Sequence, residues 1–263
     1  MYIDFHTHVF PDRIAKKAID KLSSSGGIPP FTDGSLSDTL KKFNECKVER
    51  MVALSIATNP KQQTNVNDFA ISIKSETVTP FGSINPYSDN IISDIEKLYA
   101  NGIKGIKIHN EYQGVDILDK LYYPAYELCQ KLGMIIIFHA GRDIAFKPPV
   151  KASPASLRKL SEMYPHLTIV AAHLGGWCMW DEVERHLVGS RVYLDTAYIS
   201  DYIDSQLCKR IIKEHGADKI LFGSDCPWEL PGKTISFIES LGLSDSDKQK
   251  IYHLNAQRIL GEI

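Results

Sequence analysis

The residues best equipped for chemistry in this sequence are the two histidines of His6-Thr7-His8. Residues two apart in a β-strand point to the same face, so both imidazoles can reach one ion. Two neutral imidazoles side by side suit a divalent transition metal. They stand in a run over residues 2–9 whose apolar start and Pro11-Asp12 finish predict a short buried strand ending at a turn. The pair therefore belongs at a strand's C-terminal end. Histidines two apart also arise by chance, so the other strand ends decide whether this pair is a ligand pair.

Stepping along the chain, strands are expected over residues 2–9, 50–56, 78–85, 103–109, 134–139, 167–173, 192–196 and 220–224. Val52, Leu54 and Ile56 alternate as in a half-buried strand, whereas the nearly unbroken apolar run 134–138 is what a strand covered on both faces of a parallel sheet requires. Helices are expected over 11–22, 37–46, 66–76, 88–100, 123–132, 153–164 and 180–187, then around Ile203, Leu207, Ile211 and Ile212, with closing helices over 234–263. Ile91, Ile92, Ile95, Leu98 and Tyr99 follow the 3.6-residue period, and Gly133 stops the helix before it. Ser23 to Pro30 reads as a breaker-rich loop.

Eight strands alternating with helices predict an α/β fold, the (β/α)8 TIM barrel, as a single domain over residues 1–263. No GxGxxG follows the first strand, which argues against a dinucleotide-binding sheet. In such a barrel the C-terminal ends of all strands open on one face, so residues far apart in sequence meet there. Those ends read His6-Thr7-His8, Lys107-Ile108-His109, His139-Ala140-Gly141, His173-Leu174-Gly175-Gly176 and Ser224-Asp225-Cys226-Pro227-Trp228.

This ordered set resembles the amidohydrolase superfamily, and within it the amidohydrolase-related branch of small hydrolases, lactonases and metal-dependent decarboxylases. The resemblance rests on Asp4-Phe5-His6-Thr7-His8, Gly105 to His109, Phe138 to Gly141, Ala172 to Gly176 and Phe222 to Trp228, with Asn255 to Gly261 similar to the closing helix of that branch. It implies that His6, His8, His139 and Asp225 bind a divalent ion, and that Asp225 also takes the proton of the attacking water. It implies that His173 orients that water or polarises the scissile group. Three nitrogens, a carboxylate and one open position suit a single Zn2+, which lowers the pKa of bound water from 15.7 to about 7.

Lys107 occupies the position where two-metal relatives carry a bridging ligand; a plain lysine there can also hold a substrate carboxylate or pair with Asp225. His109 and Glu111 lie just beyond it and could add a ligand, although a solvated loop position accounts better for Glu111. Arg142 and Lys147 follow the fifth strand and could meet an anionic substrate, while Trp177, Trp180, Tyr198 and Trp228 follow strand ends and could line the pocket. His166, His186, His215 and His253 fall away from the strand ends and read as structural.

Composition narrows the partners. Hydrophobic content of 43% and charged content of 24% are those of an ordinary globular protein. Thirty basic against 32 acidic residues, a net charge of -2, provide no broad field for nucleic acid or an anionic membrane. Five cysteines without a CxxC indicate neither a disulfide framework nor a thiolate site, and with no signal peptide or spanning segment a cytoplasmic location is expected.

The expected function is hydrolysis, by a metal-activated water, of an ester, lactone or amide bond in a small substrate whose charge, like a homo-oligomer, is left open. The same ligands serve decarboxylation of an aromatic or enol acid. Decarboxylases of the branch tend to be longer, so this compact chain tilts toward hydrolysis. A TatD-like or PHP-like nuclease or phosphoesterase ranks lower, because Lys107 stands where an acidic ligand is expected.

Overall fold

Each expected strand pairs, parallel, with the one before it. In the structure, a computed structural model describing residues 1–263, these are β1 (Ile3–Thr7), β2 (Arg50–Leu54), β3 (Val78–Ser83), β4 (Gly105–Ile108), β5 (Ile135–Phe138), β6 (Thr168–Ala171), β7 (Tyr193–Asp195) and β8 (Ile220–Leu221). Backbone beyond β8 closes the ring onto β1. Phe5 N–H donates to Phe222 O at 2.7 Å, Asp225 N–H to His6 O at 2.8 Å and His8 N–H to Cys226 O at 2.7 Å. The architecture is the (β/α)8 barrel.

Alternation sorts the strand side chains into two apolar clusters. Ile3, Phe5, Val52, Leu54, Phe81 and Ile137 belong to the smaller one, which fills the barrel and is closed from below by Ala256 and Leu260 of the helix Asn255–Leu260. The intervening Met51, Ala53, Ile106, Ile136 and Phe138 face the helices, among them Leu98, Tyr126 and Leu160. Truncating a plug residue such as Ile137 to alanine would cost about 2–5 kcal/mol, since nothing can collapse into the space.

Strict alternation from Ile3 and Phe5 would carry His6 and His8 out among the helices. The register of β1 breaks instead: Asp4 lies opposite Met51, but Thr7 opposite Ala53, three steps of β1 against two of β2. This β-bulge re-aims the strand, so that both the plug residues and the two histidines point inward. Asp4 Oδ1 steadies it by accepting the backbone N–H groups of His6 and Ser224, each at 3.0 Å.

One loop expectation changes. The first helix, Asp12–Gly26, runs through the serines read as a loop and ends at Gly27 with φ +67. Ser24 and Ser25 hydroxyls donate to the carbonyls of Asp20 and Lys21 at 2.8 and 3.0 Å, so these serines bond back into the helix rather than breaking it. The last segment is split into Pro231–Ser240, Asp245–Gln249 and Asn255–Leu260, the last two joined by a π-helical turn. No helix is long and apolar enough to cross a membrane.

Candidate metal centre

The barrel brings most of the residues expected in the site into one cavity. His6, His8, Lys107, His109, His139, Arg142, His173, Asp225 and Trp228 all line it, as do Trp177 and Tyr198. Lys147 and Trp180 are not part of that lining; the Trp180 indole instead donates to His173 O at 3.1 Å. Glu111 corrects its solvated assignment. It is 6% exposed, and its Oε1 accepts the Lys151 N–H at 2.9 Å.

At the floor, Asp225 Oδ1 lies 3.3 Å from His6 Nε2 and 3.2 Å from His8 Nε2. His173 Nε2 lies 3.1 Å from His139 Nδ1, and Lys107 Nζ 3.4 Å from His6 Nε2. The donor atoms of His6, His8 and Asp225 form one compact group, while His139 Nε2 falls in a second with His109 and Asp143. His139 therefore stands between the two, turning Nδ1 to one and Nε2 to the other.

The outer nitrogens determine what the inner ones can do. His6 Nδ1 faces Asp195 Oδ2 at 2.8 Å, His8 Nδ1 faces Leu54 O at 3.0 Å, His173 Nδ1 faces Ala197 O at 2.9 Å and His139 Nε2 faces Arg142 O at 3.1 Å. A carbonyl or carboxylate oxygen can only accept, so each of these nitrogens carries the ring proton. The inner nitrogens are then lone pairs. Burial reinforces this by holding His6 and His139 well below the usual histidine range.

Asp225 adds another acceptor. Burial alone would raise its carboxyl, but the charges that His6, His8 and His173 take on when protonated outweigh burial and lower it. Four lone-pair nitrogens and a carboxylate thus converge, acceptor against acceptor, and the single internal cation among them is Lys107. Such a donor set fits a divalent transition ion, and each ring is oriented through its outer N–H as ligating histidines are.

Burial lowers Lys107 to about 8 against the pull of Asp195 and Asp225, which leaves it charged at neutral pH. The backbone is bent to make these approaches: His173 and Asp225 sit at φ +59 and +67, a region that costs a non-glycine residue energy.

Sequence reasoning missed Asp195, Asp143 and the apolar wall of Phe10, Leu22, Ile28 and Ile56. Asp195 was open to the same rule that found the others, being an acid at the end of a strand. Measured to the centre of a water-sized sphere, the cavity holds about 130 Å3.

A parallel eight-stranded barrel carrying a histidine and aspartate cluster at its C-terminal face defines a barrel protein with a candidate metal site. The chain matches the amidohydrolase family model over residues 3–261, and it belongs to that family. Over 195 residues it is 23% identical to 2-amino-3-carboxymuconate-6-semialdehyde decarboxylase of Dictyostelium discoideum, covering 61% of this chain. The match takes in 54% of that protein, so the chain spans about half the length of this curated relative.

Among solved structures, an uncharacterised TIM-barrel protein of Bordetella bronchiseptica superposes with a TM-score of 0.78 at 18% identity, covering 99% of this chain and 98% of the other. A dihydroxybenzoic acid decarboxylase of a Polaromonas species, with bound manganese and the inhibitor 2-nitroresorcinol, superposes with a TM-score of 0.71 at 17% identity, covering 99% and 96%. At these identities the superpositions establish the shared fold.

Proposed function

We propose that this protein is a metal-dependent, non-oxidative decarboxylase of a small aromatic or enol carboxylic acid. The observation that carries this reading is Lys107. Its ammonium is buried at the cavity floor beside the ligand cluster, below a mouth of aromatic and aliphatic side chains. An anionic, flat acid matches that arrangement better than a neutral ester or amide. The decarboxylase from Dictyostelium discoideum supports it in sequence. Compactness no longer favours hydrolysis, since a dihydroxybenzoic acid decarboxylase is matched over 96% of its own length.

The reaction breaks the bond between the ring or enol carbon and its carboxylate, releases carbon dioxide and leaves the electron pair on carbon, where a proton must replace it. A divalent ion held by His6, His8, His139 and Asp225 would supply positive charge to fix the substrate's oxygens. Lys107 would attract the carboxylate to the floor, while Phe10, Ile28 and Ile56 would keep water from the carbon. Asp225, as a carboxylate, and His173, through its Nε2 lone pair, would take a proton from a substrate hydroxyl or from water and pass it to that carbon.

Hydrolysis is the second reading, favoured by Asp225 being held as a carboxylate, the form that takes a proton from water. A panel of hydroxybenzoic and enol acids set against lactones, esters and amides separates the two. Metal-dependent release of carbon dioxide is expected; hydrolysis without it would reverse the order. Elemental analysis of protein purified without chelator should find about one equivalent of divalent metal, with zinc first and manganese second among the candidates.

A further inference from the structure

Two side chains that are cationic at neutral pH line the cavity: Lys107 at its floor and Arg142 at its mouth. The Arg142 guanidinium is exposed and makes neither a hydrogen bond nor an ion pair with the protein. Its neighbour Asp143, the obvious partner, is turned inward. Asp143 Oδ2 lies 3.2 Å from His109 Nε2 and 3.8 Å from His139 Nε2. The lining residues Phe10, Leu22, Ile28 and Ile56 carry no charge.

Although its side chain is free, the backbone of Arg142 is held firmly. Its N–H donates to Trp177 O at 3.0 Å, and its carbonyl accepts the His139 ring N–H at 3.1 Å. The preceding Gly141, at φ +82, permits this: a Cβ there would stand 2.3 Å from Trp177 N. The root of the guanidinium is thereby tied to an imidazole of the ligand cluster, which sets a limited span between the two anion-holding points of the cavity.

We propose that Arg142 selects substrates bearing a second anionic group, so that the acid taken by this pocket is a dicarboxylate or similar dianion with one anionic end at the floor and the other on Arg142. This rests on the carboxylic-acid reading above. The planar guanidinium fork pairs with a carboxylate through two parallel hydrogen bonds, and no other wall residue offers the second group a cation. A monoanion of the same ring leaves Arg142 in water and gains nothing from it.

The test uses the full-length, metal-loaded protein and isothermal titration calorimetry, with benzoate and the 1,2-, 1,3- and 1,4-benzenedicarboxylates as probes. At least one dicarboxylate is expected to bind about tenfold or more tightly than benzoate, the range of one charge-assisted pair. Arg142→Gln should remove that margin and leave benzoate within about twofold of the parent. Lys147→Gln, on the same loop but outside the lining, should leave the margin intact. No margin in the parent, a margin that survives Arg142→Gln, or one lost equally in Lys147→Gln overturns the proposal. Binding involves no turnover, so a margin that depends on Arg142 without carbon dioxide release from any acid would refute decarboxylation alone. Carbon dioxide release from monoacids without a margin would refute this inference alone.

Discussion

Asp195 Oδ2, at the end of β7, lies 2.8 Å from Nδ1 of His6, at the end of β1, and both residues are buried. The other oxygen of the same carboxylate accepts the backbone N–H groups of His173 at 2.8 Å and Ala197 at 3.1 Å. One side chain therefore sets the tautomer of one imidazole and the backbone of another.

Asp195→Asn keeps the Oδ1 bonds but turns an N–H toward His6 Nδ1. The ring must then move its proton to Nε2, which removes the lone pair from the floor of the cavity. Loss of such a supporting carboxylate typically costs 10–100-fold in metal affinity. Competition with a chelator of known affinity measures this, with circular dichroism to check the fold. Unchanged affinity would mean that Asp195 serves the backbone alone.

Asp225→Asn preserves size and one oxygen donor but removes the basic site, so metal content should survive better than turnover. Turnover should fall about 10²- to 10⁴-fold if this carboxylate handles the proton. His173→Asn should also cut turnover while retaining the metal. Metal per chain and rate, measured on the same preparations, separate the roles. If Asp225→Asn works at near-parental rate with full metal, His173 becomes the better candidate for the proton.

His215 lies outside the cavity lining, its Nε2 2.8 Å from Val192 O, and burial lowers it from 6.5 to about 4. Between those pH values the unfolded chain binds the proton and the folded chain does not, so stability is lost as pH falls through the window. The loss from this one group is about 1.4 kcal/mol per pH unit. His215→Gln cannot titrate, so urea unfolding of parent and variant should show the parent losing ground steadily from pH 6.5 to 4.5. A constant gap would show that His215 is not held neutral.

Much of this protein was legible in its residues. Eight apolar strands in rhythm with amphipathic helices permit few architectures besides the barrel, and a barrel gathers its strand ends on one face. His6, His8, Lys107, His109, His139, His173 and Asp225 could therefore be named before their distances were known. Glu111 went the other way, because a single polar residue past a strand end looks the same whether it meets water or the Lys151 N–H. Arg142 and Asp143 stand side by side in the chain, yet one faces the cavity mouth and the other the histidines. Local pattern determined which side chains arrive at the site, since period and turn chemistry act over a few residues. Tertiary structure alone decided how they present themselves. The bulge that turns both Phe5 and His6 inward depends on the pairing of β1 with β2. The tautomers depend on acceptors brought from Leu54, Arg142, Asp195 and Ala197, which local sequence pattern cannot place beside those rings.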